Sequence, residues 1–265
     1  MYEKIKLDPE NEEVTLEAYY DKKDTPSGAI LVIPGGGYGC ICSDREGGPI
    51  ANAFLERGIN AFVLTYRVAP NTYPMPLVDA ARGIAYIRKN SERYGVDPCR
   101  IYVVGFSAGG HLTGLISTQH RYAEKLLSLP ENFARPTASV YAYPVVSTEC
   151  PTHGSSFTNL AGKCVESFSE EERQRYSIEY SVTKETPPAF IWHTSEDEIV
   201  PPMGSLRLAE HYVKAGVPVT LHLYPYGPHG VALCDERTLC GNEGWRQPLA
   251  AGWVDYAVEF FKSLT

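Results

Sequence analysis

Short runs of β-branched and aromatic residues alternate with longer segments of helical periodicity along most of the chain. The short runs predict strands over Val14–Tyr19, Ala29–Ile33, Asn60–Leu64, Ile101–Gly105, Ala138–Tyr143, Ala189–His193 and Val217–Tyr224. The periodic segments predict helices over Pro49–Arg57, Pro76–Tyr94, Ala108–Gln119, Met203–Ala215 and Pro248–Lys262. Ala29-Ile30-Leu31-Val32-Ile33 and Ile101-Tyr102-Val103-Val104-Gly105 are apolar without alternation. A strand buried on both faces reads this way, as in a parallel sheet covered by helices. Strand–helix alternation therefore predicts a three-layer α/β fold, with a mostly parallel central sheet and helices on both faces. In such sheets the reactive residues sit on loops at the carboxyl ends of the strands.

Composition narrows the class. The chain has 265 residues, 43% hydrophobic and 21% charged, which excludes a disordered, collagenous or coiled-coil protein. Its length leaves room for one large domain or two small ones. With 24 Lys and Arg against 32 Asp and Glu the net charge is −8, which disfavours nucleic-acid partners. No run approaches the roughly eighteen apolar residues of a spanning helix, so no membrane association is expected. Met1-Tyr2-Glu3-Lys4 does not open a signal peptide, and seven cysteines is an odd number. Reduced thiols in the cytoplasm are the expectation.

Four segments carry candidate chemistry. Directly after Ile101–Val104 comes Gly105-Phe106-Ser107-Ala108-Gly109-Gly110, followed by a helical run. A strand, G-x-S-x-G and a helix form a strained turn that lifts a serine hydroxyl above the sheet, next to a helix N-terminus. Ser107 is the candidate nucleophile, against the plainer reading of a glycine-rich strand–helix turn. The strand Ala29–Ile33 runs into Pro34-Gly35-Gly36-Gly37-Tyr38-Gly39. Consecutive glycines let backbone N–H groups face a ligand unobstructed, and such donors stabilise an oxyanion. Gly36, Gly37 and Ala108 are the candidate donors. A Rossmann-type phosphate cradle fits poorly, because the spacing is not G-x-G-x-x-G and no acidic residue ends Asn60–Leu64.

A serine needs a base, and the base an orienting carboxylate. Of seven histidines, His229 stands in a loop directly after the last strand, at the correct edge of the sheet. His111, His193, His211 and His222 read as packing or surface residues, and His120 and His153 fall in irregular segments. The acid comes from Ser195-Glu196-Asp197-Glu198, after the strand Ala189–His193. Asp197 is preferred over its two neighbours because Ile199-Val200-Pro201 fits a turn into the next helix. No metal or cofactor is called for, since the histidines show no H-E-x-x-H spacing and there is no C-x-x-C. Cys40 and Cys42 read as small packing residues.

Taken together these residues resemble the α/β-hydrolase superfamily, esterase/lipase branch, over nearly the whole chain from Gly28 to Phe261. Pro34-Gly35-Gly36-Gly37-Tyr38 is similar to that branch's His-Gly-Gly-Gly loop, with Pro34 in place of the histidine. Leu64-Thr65-Tyr66-Arg67-Val68-Ala69-Pro70 resembles the Tyr-Arg-Leu-Ala-Pro stretch of hormone-sensitive-lipase-like esterases. Those enzymes carry Gly-Asp-Ser-Ala-Gly and a longer N-terminal cap. Here Phe106 replaces the aspartate and only a short segment precedes Ala29. The likeness thus points toward small, nearly capless carbohydrate esterases of the acetyl-xylan and feruloyl type, with kynurenine formamidases also similar.

The resemblance implies one α/β-hydrolase domain over residues 1–265, with residues 145–185 as a small lid-like insertion. It implies a Ser-His-Asp carboxylesterase acting on short acyl esters, a deacetylase of acetylated carbohydrate, with a small-molecule or oligosaccharide ester as its partner. Tyr38 and Val200 are its candidate substrate contacts. An arylformamidase, an amidase or a small peptidase with the same triad is the alternative, and a non-catalytic binding module would lack a triad member.

Overall fold

A computed structural model describes residues 1–149 and 151–264. In chain order the elements are β1 (Tyr2–Asp8), β2 (Asn11–Tyr19), β3 (Ser27–Ile33), α1 (Ser43–Glu46), α2 (Gly48–Leu55), β4 (Asn60–Thr65), α3 (Met75–Lys89) and α4 (Ser91–Tyr94). They continue with β5 (Val96–Phe106), α5 (Ala108–Leu127), β6 (Ser139–Ala142), α6 (Gly154–Ala161), α7 (Glu170–Tyr176), β7 (Ala189–Thr194), α8 (Met203–Lys214), β8 (Val219–Tyr224) and α9 (Trp253–Lys262). The strands form one eight-stranded sheet in the order β1-β2-β4-β3-β5-β6-β7-β8. β1 and β2 pair antiparallel, β2 is antiparallel to β4, and the remaining pairs are parallel.

Period-two alternation along the central strands sorts the core into two layers. Leu31 and Ile33 of β3 and Val103 of β5 pack with Leu77 and Ile84 of α3, Leu112 and Leu115 of α5 and Leu208 of α8. Ile30, Val32 and Val104 face the other way, onto Phe54 of α2 and Trp253, Val254 and Phe261 of α9. Both faces of β3 and β5 are thus covered, as their unbroken apolar runs require. The expected three-layer α/β architecture is the one observed.

Boundaries differ where side-chain pattern is weak. The predicted helix Pro76–Tyr94 is two helices, because Asn90 leaves helical geometry at φ −106°, ψ 21°. α5 continues past Gln119 to Leu127, with Gln119 itself kinked at φ −119°. α9 begins at Trp253, not Pro248, the intervening residues forming turns. The side-chain pattern does not predict β1. It is an edge strand with no fully buried residue before Asp8, so it lacks the apolar signature of its neighbours. The described residues of 145–185 leave the sheet between β6 and β7 and include α6, α7 and short 3-10 turns. The acidic run within this segment forms α7, started by a capping box between Ser169 and Glu172. Among the described residues, no helix is long and apolar enough to cross a membrane.

Candidate active site

β5 and α5 are separated by a single residue, Ser107, at φ 55°, ψ −119°. A non-glycine residue in this region is strained, and it is held there by close packing around it. A Cβ on Gly105 would lie 2.1 Å from the Gly109 carbonyl oxygen, and one on Gly109 would lie 2.1 Å from that of Ile33. Glycine at both positions therefore lets the elbow press against the end of β3, where the next loop begins.

That loop turns through Gly36 at φ 125° and Gly37 at φ 64°. It is pinned at several points. Gly35 N–H donates to Glu46 Oε2 at 2.7 Å, Tyr66 O–H donates to the Pro34 carbonyl at 2.9 Å, and Asn159 Nδ2 donates to the Gly37 carbonyl at 2.9 Å. The N–H groups of Gly36, Gly37 and Ala108 have no hydrogen-bond partner among the described residues. They are free to serve an incoming oxygen.

Ser107, His229 and Asp197 form one hydrogen-bonded chain. Ser107 Oγ is 2.8 Å from His229 Nε2, and His229 Nδ1 is 2.6 Å from Asp197 Oδ2. Asp197 is buried at 3% exposure, while Glu196 and Glu198 are exposed. Glu196 instead accepts the Gly227 N–H at 3.1 Å, which holds the histidine loop. The N–H groups of Ile199 and Val200 donate to Asp197 Oδ1 at 3.1 and 2.8 Å. His193 Nε2 lies 3.1 Å from Oδ2. Burial pushes the Asp197 carboxyl up, but the hydrogen bonds from His193 and His229, the charge of His229 and the Val200 N–H outweigh it. The carboxyl is held well below the usual carboxylate range.

These groups meet in a cavity of about 250 Å³ that includes Gly36, Gly37, Ser107 and His229. His153, Asn159, Ile199, Cys42, Arg45 and Glu46 complete its wall. Depressions of about 550 Å³ around Arg88 and Arg121 and about 660 Å³ around Pro49 and Arg237 contain none of the Ser107 group.

The two expected substrate contacts lie elsewhere. Tyr38 is 1% exposed, and its hydroxyl bonds His111 Nδ1 at 2.8 Å. His111 Nε2 reaches the Tyr176 carbonyl at 2.7 Å, and burial pushes the imidazole down to about 4. Tyr38 is thus part of the floor beneath the loop. Val200 is 2% exposed and serves Asp197 and His193 through its backbone, whereas its neighbour Ile199, 55% exposed, is the residue on the cavity. Cys42 lines the cavity and Cys40 is exposed, so neither is a core packing residue. The sequence places His193 among packing or surface residues and His153 in an irregular segment, and singles out neither Asn159 nor Glu46. Glu46, His153 and Asn159 come to the Ser107 cavity by the path of the chain, while His193, just before the acidic loop, contacts Asp197 rather than Ser107.

The BD-FAE family model matches residues 16–212. The chain belongs to the BD-FAE family. It is a carbohydrate-esterase-like α/β hydrolase. Over 86% of its length it is 34% identical to endo-1,4-beta-xylanase B of Butyrivibrio fibrisolvens, and over 78% it is 32% identical to an acetylxylan esterase of Xylanibacter ruminicola. This BD-FAE chain spans only 36% and 42% of the lengths of those two proteins. The crystal structure of an acetyl ester-xyloside bifunctional hydrolase from Caldicellulosiruptor lactoaceticus is 33% identical, with a TM-score of 0.84, and the match covers 99% of this chain and 96% of that one.

Proposed function

We propose that this protein is a serine carboxylesterase that removes short acyl groups, acetyl above all, from acetylated carbohydrate of the xylan type. The observation that carries the proposal is the hydrogen-bonded chain Ser107–His229–Asp197 beside the N–H groups of Gly36, Gly37 and Ala108, which have no partner among the described residues. His229 Nδ1–H donates to Asp197, which leaves Nε2 as the acceptor of the Ser107 proton. Ser107 Oγ attacks the ester carbonyl, and the three N–H groups take the charge that develops on its oxygen. His229 then protonates the departing sugar alcohol. Water, deprotonated by the same imidazole, releases the acid from the acyl-enzyme.

A cavity of about 250 Å³ falls below the roughly 300–1,000 Å³ of drug-sized sites, which favours a short acyl group. We take residues 1–265 as one hydrolase domain and residues 145–185 as a lid-like insertion. The insertion supplies His153 and Asn159 to the cavity wall, on the side left for the alcohol. Cys40, Cys42, Cys99, Cys164, Cys234 and Cys240 are free thiols, which supports a cytoplasmic setting, and Cys150 lies outside the described residues.

The test is turnover of p-nitrophenyl acetate, butyrate and octanoate, acetylated xylo-oligosaccharide and N-formylkynurenine, each against Ser107→Ala. Acetate release from the xylo-oligosaccharide, with activity falling from acetate to octanoate, is the expected result. Turnover of N-formylkynurenine alone would replace the esterase reading with a formamidase. No turnover above the Ser107→Ala background would end both.

A further inference from the structure

Glu46 closes α1, a few residues beyond the glycine loop, and at 2% exposure its carboxylate stands in the wall of the Ser107 cavity. Nothing in the reaction above uses it. Both oxygens are engaged. Oε2 accepts the Gly35 N–H at 2.7 Å, and Oε1 accepts the Tyr143 hydroxyl at 2.8 Å. The Tyr143 oxygen in turn accepts the Ala232 N–H at 3.1 Å, and its ring stands at 74° to that of His229, with centroids 5.1 Å apart. One carboxylate therefore ties together the loop after β3, the chain leaving β6, and the loop that carries His229.

A packing role does not call for this arrangement. Replacing buried charge with apolar bulk is often neutral or stabilising, because desolvating a carboxylate costs several kcal/mol. Burial pushes the Glu46 carboxyl up, and the Gly35 N–H, the Arg45 charge and the Tyr143 hydroxyl act against that shift. An apolar residue cannot hold the Gly35 N–H, which would then be orphaned one residue before the first free amide. Backbone donors stabilise an oxyanion only when they are fixed before the charge appears. Gly36, at φ 125°, has backbone freedom enough to swing its amide away if the preceding peptide is released.

We infer that Glu46 is a positioning residue, which fixes the oxyanion loop through Gly35 and, through Tyr143 and Ala232, its spacing from His229. The inference rests on the proposed roles of Gly36, Gly37 and His229. It assigns no substrate contact to Glu46.

Glu46→Gln keeps the volume, removes the charge and turns one of the two acceptor oxygens into an NH2 donor. Glu46→Leu also removes both acceptors, and Tyr143→Phe cuts only the arm toward Ala232. In Glu46→Gln, kcat for p-nitrophenyl acetate should fall about tenfold with KM nearly unchanged. Affinity for a boronic acid that forms a tetrahedral adduct on Ser107 should fall by a similar factor, while affinity for acetate should not. Glu46→Leu should lose more, and Tyr143→Phe less. Independently of turnover, hydrogen exchange at the Gly35–Gly37 amides should quicken about tenfold in Glu46→Gln while the melting temperature changes little. A variant with kcat within about twofold of the parent and unchanged exchange at Gly35 overturns the inference. If Glu46→Leu does not fold, the other two variants decide. If the parent shows no turnover dependent on Ser107, the esterase reading falls, and the exchange measurement still decides the role of Glu46 in the loop.

Discussion

Asp197 is surrounded on both oxygens, by His229 and His193 at one and the N–H groups of Ile199 and Val200 at the other. This one residue therefore orients the imidazole and is itself immobilised. Asp197→Asn keeps the shape and favours the wrong tautomer of His229, so kcat should fall about 10⁴-fold. Glu196→Gln and Glu198→Gln, exposed and off the chain, should stay within about threefold. Comparable losses at either glutamate would move the acid role. The lowered carboxyl of Asp197 also links stability to pH. Its contribution is present above the unfolded carboxylate value and is lost as pH falls from there toward the folded one. The stability gap between the parent and Asp197→Asn should thus narrow by about 1 kcal/mol between pH 7 and pH 3, read by urea unfolding. A gap that widens on acidification would contradict the assignment.

Elements set the spacing that residues exploit. The elbow works because α5 starts hard against the end of β3, with no room for a Cβ on Gly109 beside the Ile33 and Pro34 carbonyls. Gly109→Ala should destabilise the protein by about 2–3 kcal/mol through overpacking, and lower kcat by shifting Ser107 from the glycine loop. Urea unfolding and p-nitrophenyl acetate turnover check the two effects. α6 reaches across from the insertion to hold Gly37 through Asn159. Asn159→Ala should cost several-fold in kcat, with little change in stability, because Asn159 and Gly37 line the cavity and are not part of the packed core. An equal loss of stability and activity would make Asn159 a fold residue only. Of these elements, the G-x-S-x-G elbow and the glycine loop were legible because short-range spacing encodes them. α6, Asn159 and His153 were not, since no motif in residues 145–185 points to the site and their position depends on long-range packing. Tyr38 and Val200 were misplaced for a related reason. Sequence locates a residue beside the site, but the direction of its side chain is decided by the neighbours it packs against.

Across the whole molecule, the sheet gathers Ser107, Asp197 and His229 at the ends of β5, β7 and β8, at one edge of one surface. The histidine loop is anchored from beneath. Trp253 of α9 is fully buried, stacks on Trp192 with centroids 5.3 Å apart, and donates its Nε1–H to the Ala232 carbonyl at 2.9 Å. Trp253→Ala should destabilise by about 3–5 kcal/mol, measured by urea unfolding, and Trp253→Phe by substantially less. A loss below about 1 kcal/mol for the alanine variant would mean that α9 does not secure the second core layer. Sequence alone determined the strand–helix alternation, the doubly buried central strands and the order Ser107, Asp197, His229. Each is written in local periodicity and turn chemistry, which neighbouring residues specify. Only the tertiary structure decided that Glu46, Asn159, His153 and His193 join those three. Glu46, Asn159 and His153 are placed by the path of their loops and by packing between separate segments, whereas His193, four residues before Asp197, meets it only because the turn after β7 folds back on the strand.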